Sequence, residues 1–207
     1  MEQTFSSWNV VILFNEVLTE ELIKLNMFVT AKIPSKIVLN KTDALPHMTI
    51  YTTNYPVKNL PKIKKELALV VRKFHPILLQ LSSKVIDMNT VFINADSDVI
   101  LQQLHTQIVN VLNPLRDGLY DKKELELIGN NEKRKRSLLT YGMWAAKELY
   151  IPHISIARPF DASLCKQALD QLPKKIDYLT KIECIALVER GHDGTCKKII
   201  ETYSLGV

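Results

Sequence analysis

Apolar and polar residues alternate at the start of the chain, and this period of two predicts a strand over residues 8–15. Its apolar members, which share one face, are Trp8, Val10, Ile12 and Phe14. A helix is predicted next, with Thr19 as its N-cap, because two acidic residues and then apolar residues at helical spacing follow it. Apolar residues at steps of three and four predict another helix over residues 60–74, which ends at His75 and Pro76.

Three β-rich segments complete the first half of the chain. A strand is predicted over residues 46–51, and two short segments over 77–81 and 91–94 predict a hairpin. The second half repeats this order, with a helix capped by Ser97 or Asp98 and then a strand, a helix and a hairpin. These last three elements are predicted at residues 151–158, at residues 161–173 with Asp161 as the cap, and at residues 182–189 paired with 196–204.

One short pattern occurs in both halves. The sequence Leu-Pro-His-Met-Thr-Ile begins at residue 45, and Ile-Pro-His-Ile-Ser-Ile begins at residue 151. Because side chains alternate between the two faces of a strand, His47 and Thr49 project to one side, and so do His153 and Ser155. Two such pairs facing one cleft would form a two-histidine acid/base site.

With these two His-x-Thr/Ser motifs, the chain resembles the 2H phosphoesterase superfamily, which includes the bacterial 2',5' RNA ligase-like proteins and the cyclic nucleotide phosphodiesterases. The run from Pro152 to Arg158 is similar to the second motif of the RNA ligase-like branch, with Ser155 where that branch often has Thr. The order of the elements, in which a helix and then a hairpin follow each motif strand, predicts an α+β fold of two lobes with mainly antiparallel sheets. The resemblance implies that these lobes are pseudo-symmetric and flank a central cleft. We expect a single bilobal domain, with lobes over about residues 1–95 and 96–207.

The chemistry that suits this pattern is in-line attack at phosphorus. An imidazole has an ordinary pKa of about 6.5, so His47 and His153 can serve as general base and general acid near neutral pH. The hydroxyls of Thr49 and Ser155 can donate to the non-bridging phosphate oxygens. The expected substrate is an RNA terminus or a small nucleotide phosphoester, either a 2',3'-cyclic phosphate or a 2',5' linkage. No metal or cofactor is expected.

Strand parity gives two further candidates for substrate binding. Tyr51 falls on the face of His47 and Thr49, where it can line the cleft, or it packs in the interior. Arg158 fits the RNA ligase-like pattern, but its parity points it away from the hydroxyl face unless the strand bends before Pro159. If it points away, it forms an outer salt bridge or a loop contact.

Composition sets the expected class of protein. The chain has 207 residues, 46% of them hydrophobic, and a formal net charge of +5. No apolar run approaches the roughly 18 residues of a membrane span, and the first residues argue against a secretion signal. Three cysteines without metal-ligand spacing fit a reducing cytoplasm. We therefore expect a cytoplasmic monomer.

A basic cluster over residues 133–136 is predicted to lie in a loop, where it either guides an RNA backbone or is a solvated surface run. Two other classes of function remain open. One is a nucleotide- or RNA-binding protein of the same fold without turnover, and the other is an interaction protein in which the motifs are coincidental. The sequence leaves open which histidine is the base and which nucleobase is preferred.

Overall fold

The computed structural model describes residues 4–96 and 98–206. In these ranges the chain forms eight strands and six α-helices. The strands are β1 (Phe5–Leu13), β2 (His47–Pro56), β3 (Ile77–Asp87), β4 (Thr90–Ala95), β5 (His153–Ala157), β6 (Tyr178–Ile182), β7 (Cys184–Arg190) and β8 (Cys196–Ser204). The helices are α1 (Glu16–Thr30), α2 (Leu60–Val71), α3 (Val99–Leu112), α4 (Lys123–Ile128), α5 (Glu132–Tyr141) and α6 (Cys165–Gln171).

The strands form one eight-stranded sheet in the order β6-β3-β4-β5-β2-β1-β7-β8. Every pairing between neighbours is antiparallel. With helices packed on this sheet, the fold is α+β, as the sequence predicts. The two motif strands, β2 and β5, lie side by side at the centre and pair at Met48 and Ile154.

The sheet is arranged symmetrically about this central pair, with three further strands on either side. Its two halves do not follow the predicted division of the chain at residue 95. The β3–β4 hairpin comes from the first half of the sequence, yet it pairs with β5 and β6 from the second half. Each half of the sheet therefore combines both halves of the chain, because the hairpin crosses to the second motif strand instead of staying beside the first.

A large apolar core runs through both halves of the sheet. Met48 and Ile50 of β2 are buried, as are Ile154 and Ile156 of β5, so each motif strand has an apolar back. Burying a side chain of this size contributes about 1.5–3 kcal/mol. Helix α1 packs against β5 and α3 packs against β2. The apolar side chains of each motif thus anchor its strand in the core, and the histidine and hydroxyl side chains lie on the opposite face.

One helix N-cap differs from the sequence analysis, and another is one of the two residues predicted. Asn15, rather than Thr19, caps α1, because its side chain accepts from the backbone N–H of Leu18 at 2.9 Å. Asp98 caps α3 by accepting from the N–H groups of the second and third helical residues. The alternative cap, Ser97, lies outside the described residues.

Three elements were not predicted: α4, α5 and β6. The basic cluster lies on α5 rather than in a loop, and Asn131 caps that helix by accepting from the N–H of Arg134 at 3.1 Å. These helices have only six and ten residues, so periodicity gives little signal there. None of the described helices is long and apolar enough to cross a membrane.

Candidate active site

The two motifs meet across the central strand pair. Because β2 and β5 are antiparallel and in register at Met48 and Ile154, the residues on either side of this pair also face each other. His47 is therefore opposite Ser155, and Thr49 is opposite His153. All four side chains line one cavity of about 330 Å³.

Both imidazole rings are oriented by their own backbone. Nδ1 of His47 lies 2.7 Å from the carbonyl oxygen of Leu45, and Nδ1 of His153 lies 2.7 Å from that of Ile151. When these nitrogens donate to the carbonyls, the proton of the neutral ring is held at Nδ1. Nε2 is then the nitrogen that can exchange a proton with a bound substrate.

Burial lowers the pKa of both rings. For His47 this effect outweighs the hydrogen bonds to the carbonyls of Leu45 and Gly194, which act the other way. For His153 burial is again the main cause, and the nearby His47 lowers the pKa further. The two imidazoles therefore disfavour being charged together, and this suits a pair in which one is neutral while the other is protonated.

Each motif strand carries a bulge at the same place. In β2, Val10 and Val11 of the neighbouring strand pair with Tyr51 and Thr49, so Ile50 is an extra residue. In β5, Ile156 is the extra residue in the pairing with β4. A bulge of one residue reverses the alternation of faces beyond it.

The two bulges determine which faces of the strands Tyr51 and Arg158 occupy. Tyr51 is fully buried and donates its hydroxyl to the carbonyl of Tyr141, so it does not line the cavity. The expectation that it shares the face of His47 fails because of the extra residue before it. Beyond the same bulge, Thr52 lines the cavity instead.

Arg158 also lines the cavity, contrary to its parity in a regular strand. This placement is the one expected for a strand that bends before Pro159, and the irregularity observed there is the bulge at Ile156. The Nε of Arg158 donates to the hydroxyl of Thr90 at 2.8 Å, and its Nη1 lies 3.3 Å from a carboxylate oxygen of Asp193. Thr52 and Arg158 each stand five residues after the histidine of their motif and are equivalent in the two halves.

No family model matches this chain, and no curated protein matches it. Solved structures do match over nearly its whole length. LigT of E. coli in its apo form has a TM-score of 0.61 at 11% identity, covering 99% of each chain. TT0787 of Thermus thermophilus has a TM-score of 0.60 at 14% identity, covering 96% of this chain and 97% of its own. A phosphoesterase has a TM-score of 0.59 at 10% identity, covering 99% of this chain and 100% of its own.

The chain has the 2H phosphoesterase fold. The resemblance inferred from the two motifs is thus confirmed at the level of the fold. LigT has also been solved in complexes with phosphate, 3'-AMP, ATP and NADP+.

Within this 2H fold, the cavity holds charged residues that sequence reasoning missed. Arg190 donates to Glu124 at 3.0 Å and lies 3.5 Å from Asp121. Burial raises the pKa of Glu124, and Arg190 acts against that shift. These residues come from α4, the segment before it and the end of β7, and no motif in the sequence connects them. All three residues line the cavity.

The remaining histidines have different places in the 2H fold. His192 lies exposed in the predicted turn between β7 and β8, yet it also borders the cavity. His105 of α3 is fully buried. Among the residues that the structure describes, no group of three or more His, Cys, Asp or Glu side chains is placed to hold a metal ion.

The basic cluster borders this site from α5. Arg134 pairs with Asp87 at 2.6 Å, and its guanidinium lies 4.6 Å from the ring centre of Trp144, which lines the cavity. Lys133 and Arg136 instead line a separate surface groove on the outer side of the helix. The cluster is therefore divided between the rim of the site and the outer surface.

Proposed function

We propose that this protein is a metal-independent phosphoesterase that acts on RNA ends or small nucleotides, with hydrolysis of a 2',3'-cyclic phosphate or a 2',5' linkage as its reaction. The observation that carries the proposal is the arrangement of His47, Thr49, His153 and Ser155, in which each imidazole faces the hydroxyl of the other motif in one cavity. The solved LigT complexes with phosphate and 3'-AMP support a nucleotide phosphate as the ligand of such a cavity.

The two histidines would divide the proton transfers. In the cyclic phosphate reaction, the neutral imidazole takes a proton from water while the water oxygen bonds to phosphorus. The bond from phosphorus to one ribose oxygen breaks, and the protonated imidazole gives its proton to that oxygen. The product is a ribose monophosphate, and the net proton count of the pair is unchanged.

The hydroxyls hold the phosphate between the two imidazoles. Thr49 and Ser155 lie on the two adjacent motif strands, so each can donate to one non-bridging oxygen of the phosphate. Arg158 adds a fixed positive charge, since Thr90 and Asp193 hold its guanidinium in place at the cavity. These groups stabilise negative charge that develops on the phosphate as water attacks.

The test is hydrolysis of a panel of nucleoside 2',3'-cyclic phosphates and a short 2',5'-linked oligonucleotide in EDTA. We expect turnover of at least one substrate by the wild type, and loss of about 10²–10⁴-fold in His47→Ala and His153→Ala, because each removes one proton-transfer partner. Activity that requires added metal, or that survives in either variant, would overturn the proposal. Binding of a nucleotide without turnover would identify a binding protein instead.

A further inference from the structure

Among the described residues, three polar side chains that do not line the catalytic cavity are completely buried: Asn26, Thr90 and His105. Arg158 donates to Thr90, and the other two lie on helices. Asn26 lies on α1 and His105 on α3, and neither exposes surface to solvent. A buried polar group costs about 1–3 kcal/mol when it lacks a hydrogen-bond partner. We therefore examine which backbone groups form hydrogen bonds with Asn26 and His105.

His105 connects the first motif strand to the segment that leads into the second motif. Its Nε2 accepts from the backbone N–H of Lys147 at 2.8 Å, so Nδ1 carries the proton and donates to the carbonyl of Ile50 at 2.7 Å. The ring stacks on Tyr150, with 3.9 Å between ring centres. The hydroxyl of Tyr150 donates to the carbonyl of Thr49 at 3.1 Å.

Asn26 makes the reciprocal connection. Its Nδ2 donates to the carbonyl of Ile156 at 2.7 Å and to that of Ile37 at 3.0 Å. Its Oδ1 accepts from the N–H of Leu39 at 2.8 Å. Ile37 and Leu39 belong to the segment that leads into the first motif, just as the partners of His105 precede the second.

The two carbonyls that these residues bind are equivalent. Ile50 and Ile156 each stand three residues after the motif histidine, and each is the extra residue of its bulge. We propose that Asn26 and His105 are a pair of positioning residues that set the separation of the two motif histidines. Each holds the bulge of one motif strand against the segment that leads into the other motif.

The short backbone pairing between the motif strands explains why such contacts are needed. β2 and β5 are paired only at Met48 and Ile154 among the described residues, whereas β1 and β2 pair along most of their length. In-line catalysis is sensitive to this placement, because an error of about 1 Å can cost about 100-fold in rate. The catalytic part of this inference rests on the proposed function, but the positioning part does not.

The first measurement needs no substrate. The imidazole pKa values of His47 and His153 are followed by NMR in the wild type, His105→Gln and Asn26→Ser. Because His47 lowers the pKa of His153, a wider separation weakens this repulsion, and the pKa of His153 should rise in both variants. Thr180→Val is the matched control, since Thr180 is a buried polar residue of β6 that does not line the cavity.

The second measurement is steady-state hydrolysis of a 2',3'-cyclic phosphate. We expect kcat to fall about 10–100-fold in both variants with KM within about 3-fold of wild type, because the cavity remains but its two halves are misplaced. Tyr150→Phe, which removes one hydroxyl and keeps the stacked ring, should lower kcat by a smaller factor.

Three outcomes decide the inference. Folded variants that lose thermal stability but keep the wild-type pKa of His153 and the wild-type kcat would show that Asn26 and His105 are merely structural, and would overturn it. If the wild type hydrolyses none of the phosphoesters, the proposed function fails, while the imidazole titration still tests the positioning. If Asn26→Ser does not fold, His105→Gln and Tyr150→Phe give the result.

Discussion

His47 and His153 each hold Nδ1 against a backbone carbonyl two residues earlier in the chain. In the proposed mechanism, Nε2 of each ring transfers the proton. Thr49 and Ser155 stand at equivalent positions, two residues after the histidine of their motif. Each supplies a hydroxyl on the same strand face as that histidine. Sequence alone identifies these four residues because they depend only on strand alternation within three residues. The protonation behaviour of each imidazole depends on its burial and its neighbours, so it can be inferred only from the folded structure.

The pH dependence of kcat/KM is predicted from that environment. The pKa of each imidazole is lowered by burial from its ordinary value of about 6.5. In the proposed mechanism the competent state has one neutral and one protonated ring, and this state is most populated between the two lowered pKa values of the pair. We expect a bell-shaped profile with its maximum below pH 6.5, measured at constant ionic strength. A maximum above pH 7 would contradict this environment.

At the scale of elements, the sequence predicts the orientation of side chains up to the bulges of β2 and β5, but not beyond them. Alternation correctly orients both motifs but misplaces Tyr51 and Arg158, because each lies beyond an extra residue. Nothing in the local pattern marks Ile50 or Ile156 as extra. The bulges are defined by the neighbouring strands and by the helices that bind their carbonyls, which are long-range features.

The packing of α3 on β2 makes stability depend on pH through His105. Burial lowers the pKa of His105 to about 4, whereas the unfolded chain has the ordinary value of about 6.5. The unfolded state thus takes up a proton first as the pH falls, so the stabilisation is complete above pH 6.5 and is lost progressively between pH 6.5 and 4.

Urea unfolding at pH 7 and pH 5 measures this effect. The free energy of unfolding should fall by about 2 kcal/mol more in the wild type than in His105→Gln. The two motif histidines also have lowered pKa values and act in the same direction in both proteins. Equal losses in the two proteins would mean that His105 is not held neutral by its surroundings.

For the whole molecule, the sheet brings together strands that the sequence keeps apart. The α+β class and both motif strands are predicted from periodicity, but the exchange of the β3–β4 hairpin between halves is not. Antiparallel pairing of distant strands leaves little trace in a single sequence, since the alternation of each strand is the same whichever neighbour it has. The charged wall around Arg190 was missed for the same reason.

The outer surface of α5 gives a prediction on substrate size. Lys133 and Arg136 are exposed on a surface groove that is separate from the cavity, whereas Arg134 is already paired with Asp87. Replacing Lys133 and Arg136 by Gln should raise KM for an oligoribonucleotide, most strongly at low salt, and leave KM for a mononucleotide unchanged, because only the longer substrate has further phosphates to contact. Equal effects on both substrates would exclude this role.

The most direct test of the central claim is a double-mutant cycle on the two motif histidines. The kcat for the best cyclic phosphate is measured in EDTA for His47→Gln, His153→Gln and the double variant. His75→Gln is the control, since His75 is exposed and does not line the cavity. If the pair acts as one acid/base unit, each single variant loses about 10²–10⁴-fold, the double variant loses little more, and the control retains wild-type activity. Single variants that keep wild-type kcat would contradict the two-histidine mechanism.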